Sequence, residues 1–179
     1  MIALLLAAFA TPAYALATAT IALHDLPGTA GEWQEGEAIV PAPPKQVQAW
    51  LTDYGRWVGR FPDIDAAQLL GDDARGRHVV RFHSRLAGRI FVVHEAVHPG
   101  LLVFDGWAPN VFTQGRIWIL DAGAGSSHVI MQSTAQVHGF IGLFATRGYK
   151  RKSSFAAITS HLNALISLAR GSRTRSSGS

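Results

Sequence analysis

Histidine supplies most of the side chains that could do chemistry near neutral pH in this sequence. There are eight, and neutral imidazole serves both as a general base and as a metal ligand. His94 and His98 stand four apart on one predicted strand. They share a face but lie about 13 Å apart along it, too far to chelate one ion. No His-Glu-x-x-His pattern occurs. A metal site would need His83, His94 or His128 to converge from different strands, so hydrogen-bonded strand histidines are the plainer reading. Cysteine is absent, which excludes disulfides, thiolate metal sites and cysteine nucleophiles. No Gly-x-Ser-x-Gly elbow is present. The paired carboxylates, Asp72-Asp73 and Asp63/Asp65, fall at turns and strand starts, where solvated turn roles are expected. Gly28-Thr29-Ala30-Gly31 lacks the Lys-Ser/Thr of a phosphate loop. The residues assign no catalytic group, no metal and no cofactor, and the sequence leans away from an enzyme.

The elements that would position any site come next. From Arg147 to Ala169, Phe155, Ile158, Leu162, Leu165, Ile166 and Ala169 recur at spacings of three and four, the period of one helical face. Gly171 is the expected stop. Most of the preceding chain reads as strands: Trp33–Val40, Ile64–Leu70, Arg77–Leu86, Arg89–Val97, Leu101–Trp107, Phe112–Leu120 and His128–Val137. Ala87-Gly88 is read as a two-residue turn. Pro44 opens a short helix with Val47, Trp50, Leu51 and Tyr54 on its buried face, and a second short turn carries Trp57, Val58 and Phe61. Turns recur too closely for parallel crossovers, so the sheet should be antiparallel. The fold class is therefore α+β: about seven strands curled around one long C-terminal helix, with two short helices after the first strand.

A sheet curled around a helix can leave a space beneath it. In the last strand Val129, Met131, Ser133, Ala135 and Val137 make the apolar face, and His128, Ile130, Gln132, Thr134 and Gln136 the other. In the strand before Ala87-Gly88, Val80, Phe82 and Ser84 face in, with His78 at the end. A mostly apolar wall with one or two polar groups suits an amphipathic ligand. The competing reading is that these residues fill a core. The candidate ligand-binding wall comprises Trp57, Phe61, Phe82, Phe104, Trp118, Met131 and Phe155.

Four stretches carry a resemblance. They are Ile39–Val47, a strand entering a helix through Ala42-Pro43-Pro44; Leu51-Thr52-Asp53-Tyr54-Gly55-Arg56-Trp57 with Phe61-Pro62; Gly115-Arg116-Ile117-Trp118-Ile119-Leu120, followed by a glycine-rich turn and a strand; and the C-terminal amphipathic helix. In this order, over about residues 33–169, the chain resembles the START-like (SRPBCC) superfamily, which includes polyketide cyclase/dehydrase and coenzyme Q-binding families. The resemblance implies a helix-grip fold enclosing an apolar cavity. It implies binding or transport of a hydrophobic small molecule such as a lipid, isoprenoid quinone or polyketide. It equally admits a cyclase or dehydratase in the same cavity, and a module without a ligand that contacts a membrane or protein remains the third reading. Family members often carry Trp two residues after the glycine, where this chain has Ile117 and then Trp118.

The ends complete the reading. Residues 1–15 have an apolar run, Pro12 and the small-residue pattern Ala13-Tyr14-Ala15, the layout of a signal peptide cleaved after Ala15. This points to a secreted or periplasmic protein, with a membrane anchor as the alternative. Residues 16–32 read as a linker, and the Ser/Arg/Gly-rich residues 170–179 as a disordered basic tail. Residues 1–146 carry a net charge of −3 and residues 147–179 of +7. Apolar Phe140, Leu143 and Phe144 beside Arg147, Lys150, Arg151 and Lys152 could dock on an anionic membrane surface. Aromatic residues barely interleave with these charges, which argues against nucleic acid as a partner.

Overall fold

The computed structural model describes residues 20–29, 32–139 and 146–176. Its strands are β1 (Ala22–Asp25), β2 (Gln34–Val40), β3 (Ile64–Asp72), β4 (His78–Ser84), β5 (Arg89–His98), β6 (Leu101–Ala108), β7 (Val111–Gly123) and β8 (Ser126–Val137). They form one sheet in the order β1-β2-β8-β7-β6-β5-β4-β3, with every neighbour antiparallel. Helices α1 (Pro44–Thr52) and α2 (Trp57–Arg60), joined by a 3-10 turn at Tyr54–Arg56, lie between β2 and β3. Helix α3 runs from Arg147 to Ser176.

The fold class is as expected, with three corrections. The sheet has eight strands, because Ala22–Asp25 pairs with β2 inside the stretch read as a linker. This strand is mostly exposed, so it shows no inward periodicity; its partner, rather than its own pattern, makes it a strand. Helix α3 does not stop at Gly171 but continues to Ser176, into the segment read as a disordered tail. Gly171 is absent from the positive-φ positions and so provides none of the left-handed backbone that ends a helix. The β4–β5 connection is four residues, Arg85–Gly88, rather than two. The Ala87 N–H donates to Ser84 Oγ at 3.2 Å, and Gly88 takes the positive φ of 59°.

The core lies at one end of the molecule. Val47 and Leu51 of α1, Leu102, Ile119 and Val129 of the sheet, and Leu162 and Leu165 of α3 pack together with 3% exposure or less. Each such side chain contributes about 1.5–3 kcal/mol by leaving water. Polar contacts pin α1 to this end. Ser127 Oγ donates to the Ala42 carbonyl at 2.6 Å. The Gln48 amide brackets the β5–β6 turn, donating to the His98 carbonyl and accepting from the Gly100 N–H, each at 3.1 Å.

Two glycines set the spacing of the layers. At Gly36 on β2 a side chain would meet Ile158 Cγ2 at 2.4 Å, so its bareness lets α3 lie against that strand. At Gly115 on β7 an added Cβ would fall 2.3 Å from Phe104 Cζ and 2.6 Å from the backbone carbonyl of Gln132. Phe104 thus lies flat on the sheet. Because a backbone atom cannot move aside, Gly115→Ala is expected to cost about 1–3 kcal/mol, measured as a lower urea midpoint at unchanged m-value.

Candidate functional site

Between the inner face of the sheet and α3 lies a cavity of about 290 Å³. Its apolar wall comes from alternate residues of successive strands: Phe82 of β4, Phe91 and Val93 of β5, Phe104 of β6, Ile117 of β7 and Met131 of β8. Ala157, Ile158 and His161 of α3 form the opposite side, and Leu51, Trp57 and Phe61 the floor. The aromatic rings prop one another. Trp57 meets Tyr54, Phe61 and Phe82 edge-on at centroid distances of 5.1, 5.9 and 5.6 Å, and Phe82 stacks on Phe91 at 5.5 Å. Such contacts hold rings in place without filling the space between them.

Sheet register gives the cavity a direction. Ser84 pairs with Arg89 on β4–β5 and Val111 with Val137 on β7–β8. These residues line the outer end together with Leu86 and Tyr149, which are 53% and 65% exposed. Six residues along β5 from Arg89, about 20 Å at 3.3 Å per residue, Glu95 lines the wall near the packed end.

Glu95 is the group that the sequence reading missed. It is 5% exposed, and its Oε2 accepts a 2.7 Å hydrogen bond from the Tyr54 hydroxyl. Burial pushes its carboxyl up to about 7, against the pull of the Tyr54 hydrogen bond and of His78. Burial, and then the Glu95 charge, drives the Tyr54 phenol well above its ordinary value. A signal was present, since Phe91, Val93, Glu95 and Val97 fall on one face at period two. Ile90 and Val92 make the other face apolar as well, so alternation alone could not say which side turned inward.

Two more polar groups reach the wall from opposite layers. Asp63, 6% exposed, accepts from Ser160 Oγ at 3.1 Å, which corrects the expectation of a solvated turn carboxylate. Asp65, its companion, is the exposed one and pairs with His83. His161 stacks on Phe61 at 5.0 Å. Its Nδ1–H donates to the Ala157 carbonyl at 2.9 Å, because a carbonyl only accepts. Neutral His161 therefore keeps Nε2 as an acceptor.

Of the seven candidate wall residues, Trp57, Phe61, Phe82, Phe104 and Met131 line the cavity. Trp118 and Phe155 do not. Ile117 pairs with Met131 and faces in, so Trp118 turns outward by the period of the strand. There the Arg116 guanidinium lies 5.4 Å from the ring centroids of both Trp118 and Trp33. Phe155 sits under the Arg151 guanidinium at 4.8 Å, and Arg151 reaches Asp25 of β1 at 2.8 Å. Ile158, one turn on, takes the position expected of Phe155.

The basic cluster is divided in the same way. Lys150 lines the cavity, Arg151 is ion-paired, and Arg147 and Lys152 are exposed. Phe140, Leu143 and Phe144 lie outside the described residues, as does the segment 1–15. His83, His94 and His128 each take a separate carboxylate, Asp65, Asp73 and Glu37, at 2.6, 2.9 and 2.7 Å. Among the described residues no three potential ligands gather around one point.

No protein-family model and no curated protein matches the sequence significantly. Solved structures do match the fold. A START superfamily protein from Mycobacterium smegmatis superposes with a TM-score of 0.67 at 14% identity, covering 78% of this chain and 97% of the other. The Zhui aromatase/cyclase from Streptomyces sp. R1128 gives 0.65 at 19% identity, covering 89% and 99%. The chain has the START-like, helix-grip fold. TTHA0849 from Thermus thermophilus shares it, at a TM-score of 0.67 and 16% identity over 77% and 97% of the two chains. Within this START-like fold, the buried carboxyls on the cavity wall come from β5 and the turn before β3, and its imidazole from α3.

The Glu95 carboxyl links stability to pH. Its folded value of about 7 stands above the ordinary 4.5, so the folded chain holds a proton that the unfolded chain releases. The resulting stabilisation is complete below the unfolded value and is lost as pH rises through about 7, a loss of about 3 kcal/mol. Glu95→Gln keeps an acceptor for Tyr54 and removes this loss. Thermal melts should show its Tm advantage over the parent growing from about pH 5 to about pH 8.

Proposed function

We propose that this protein binds a hydrophobic small molecule in the cavity between sheet and helix α3. The observation that carries this reading is the cavity itself: about 290 Å³ of space with a mostly apolar surface, to which Phe82, Phe91, Phe104, Ile117 and Met131 contribute. A packed core at native density would have filled it. The volume is near the lower end for small-molecule sites, which commonly run from about 300 Å³ upward. A compact ligand of one or two rings, or a short chain, matches that size better than a whole lipid. Each 100 Å² of apolar ligand surface buried contributes roughly 2.5 kcal/mol before association costs. The START-like fold of the neighbours supports the same reading.

The test is direct binding of an environment-sensitive apolar dye, with native mass spectrometry to detect co-purifying molecules. Ala135→Phe places a ring into the cavity from β8. It is expected to weaken dye binding by about tenfold or more with the circular dichroism spectrum unchanged. Failure of the parent protein to bind any apolar probe would sink the proposal.

A cyclase or dehydratase reading has one observation in its favour. His161 Nε2 and the Glu95 carboxyl occupy the walls of one apolar cavity, and groups so placed could move protons on a bound carbonyl compound. The two readings separate on the mass of the released ligand: a carrier returns it unchanged, and a dehydratase returns it lighter by one water. The Ala13-Tyr14-Ala15 pattern supports placing either activity outside the cytoplasm. Intact mass from the native host, lower by residues 1–15, would test that.

A further inference from the structure

We propose that the Glu95–Tyr54 pair anchors the inner end of the cavity's ligand, and that this end carries a neutral oxygen, a carbonyl or a hydroxyl, rather than an anion. The proposal rests on the reading that the cavity holds a ligand, and it names that ligand's chemical class.

Three observations carry it. Glu95 is a buried carboxyl at the inner end of a strand face, after Phe91 and Val93 and beside Phe104 in the sheet register. Only half of it is engaged: Tyr54 donates to Oε2, and Oε1 has no hydrogen-bond partner among the described residues. Oε1 is not among the buried unpaired atoms, so it is open to the cavity, and a carboxyl oxygen open to an apolar cavity takes its partner from what enters there. With the Tyr54 O–H directed at Oε2, the carboxylic acid holds its own proton on Oε1, where it donates to a ligand acceptor. The buried carboxyl titrates at about 7, so the acid form is well populated near neutrality. A carbonyl oxygen accepts from this donor, and a hydroxyl can also donate to it when the acid ionises.

The surroundings argue against an anionic head. The titratable side chains beside the pair are His78, across β4–β5 from Glu95, and Asp72, which holds His78 at 2.7 Å. No lysine or arginine lines the wall at this end; Arg89 and Lys150 line the cavity toward its outer end. A carboxylate or phosphate brought to Glu95 would lose its water and gain no cation, which is strongly unfavourable. A bare hydrocarbon end would leave Oε1 unpaired, which also costs affinity.

The experiment compares four probes with one skeleton: naphthalene, 2-acetylnaphthalene, 2-naphthol and 2-naphthoate. Affinities are read by displacement of an apolar dye from the full-length protein. The ketone and the naphthol should bind about tenfold tighter than naphthalene, and the naphthoate weakest of the four. The double variant Glu95→Met with Tyr54→Phe removes both partners, leaves no orphaned hydroxyl, and should bind all three neutral probes alike. Glu95→Gln, which retains an N–H donor and an acceptor, should keep most of the preference. If naphthalene binds and oxygen adds nothing, or the naphthoate binds best, the anchor is wrong while the cavity reading stands. If no probe and no dye binds, the cavity reading itself falls.

Discussion

Helix α3 is clamped to one side of the sheet only, and the rest of the structure depends on that asymmetry. Along β2 the helix approaches to the backbone, because Gly36 has no side chain to hold Ile158 away. Farther across, from β7 to β4, the inward positions carry Ile117, Phe104, Phe91 and Phe82. A sheet twists continuously, while a helix is a straight rod. Close contact on one side therefore opens a wedge on the other. At the α1 end the wedge is closed by Val47, Leu51 and Leu162; toward Arg89 and Tyr149 it remains the cavity.

Keeping such a space is costly, since atoms facing a void lose dispersion contacts. Two features offset this loss. The aromatic rings from Tyr54 through Trp57 and Phe82 to Phe91 brace one another edge-on and face-on, and the polar fastenings of α1 by Ser127 and Gln48 hold the closed end rigid. The outer face of the sheet is organised on other terms. Its histidines sit beside carboxylates, and Asp73 alone receives hydrogen bonds from both His94 and Arg77. That surface arrangement separates His83, His94 and His128 from the cavity chemistry, whereas His78, paired with Glu95 across β4–β5 and edge-on to Tyr54, and His161 on the helix face inward.

Glu95 shows how fold and function compete at one position. An apolar residue there would pack against Phe104 and remove a buried acid whose ionisation destabilises the folded chain. The carboxyl is instead retained with one oxygen tied to Tyr54. Tyr54 itself is brought over the strand by the 3-10 turn that joins α1 and α2. The connection between β2 and β3 thus closes the core with α1 and presents a hydroxyl to the cavity with the turn that follows.

The sequence by itself determined the architecture, because periodicity and turn spacing are local properties. The 3.6-residue period of α3, the alternation of β8 and the short turns were enough for an antiparallel sheet gripping a helix. The inward set Val129, Met131, Ser133 of β8 was legible because its outward neighbours are polar. Where both faces of a strand are apolar, alternation is silent. That is why Trp118 reads as inward from the sequence although the pairing of Ile117 with Met131 turns it out, and why alternation does not mark Glu95 on β5 as inward. Strand β1 was invisible because its conformation comes from pairing with β2 rather than from its own residues. Only the tertiary structure decided that a space exists at all, since a lining residue and a filling residue are the same amino acids. The difference lies in how far apart sheet and helix are held, and that distance is set by contacts such as Gly36 against Ile158, more than a hundred residues apart in the chain.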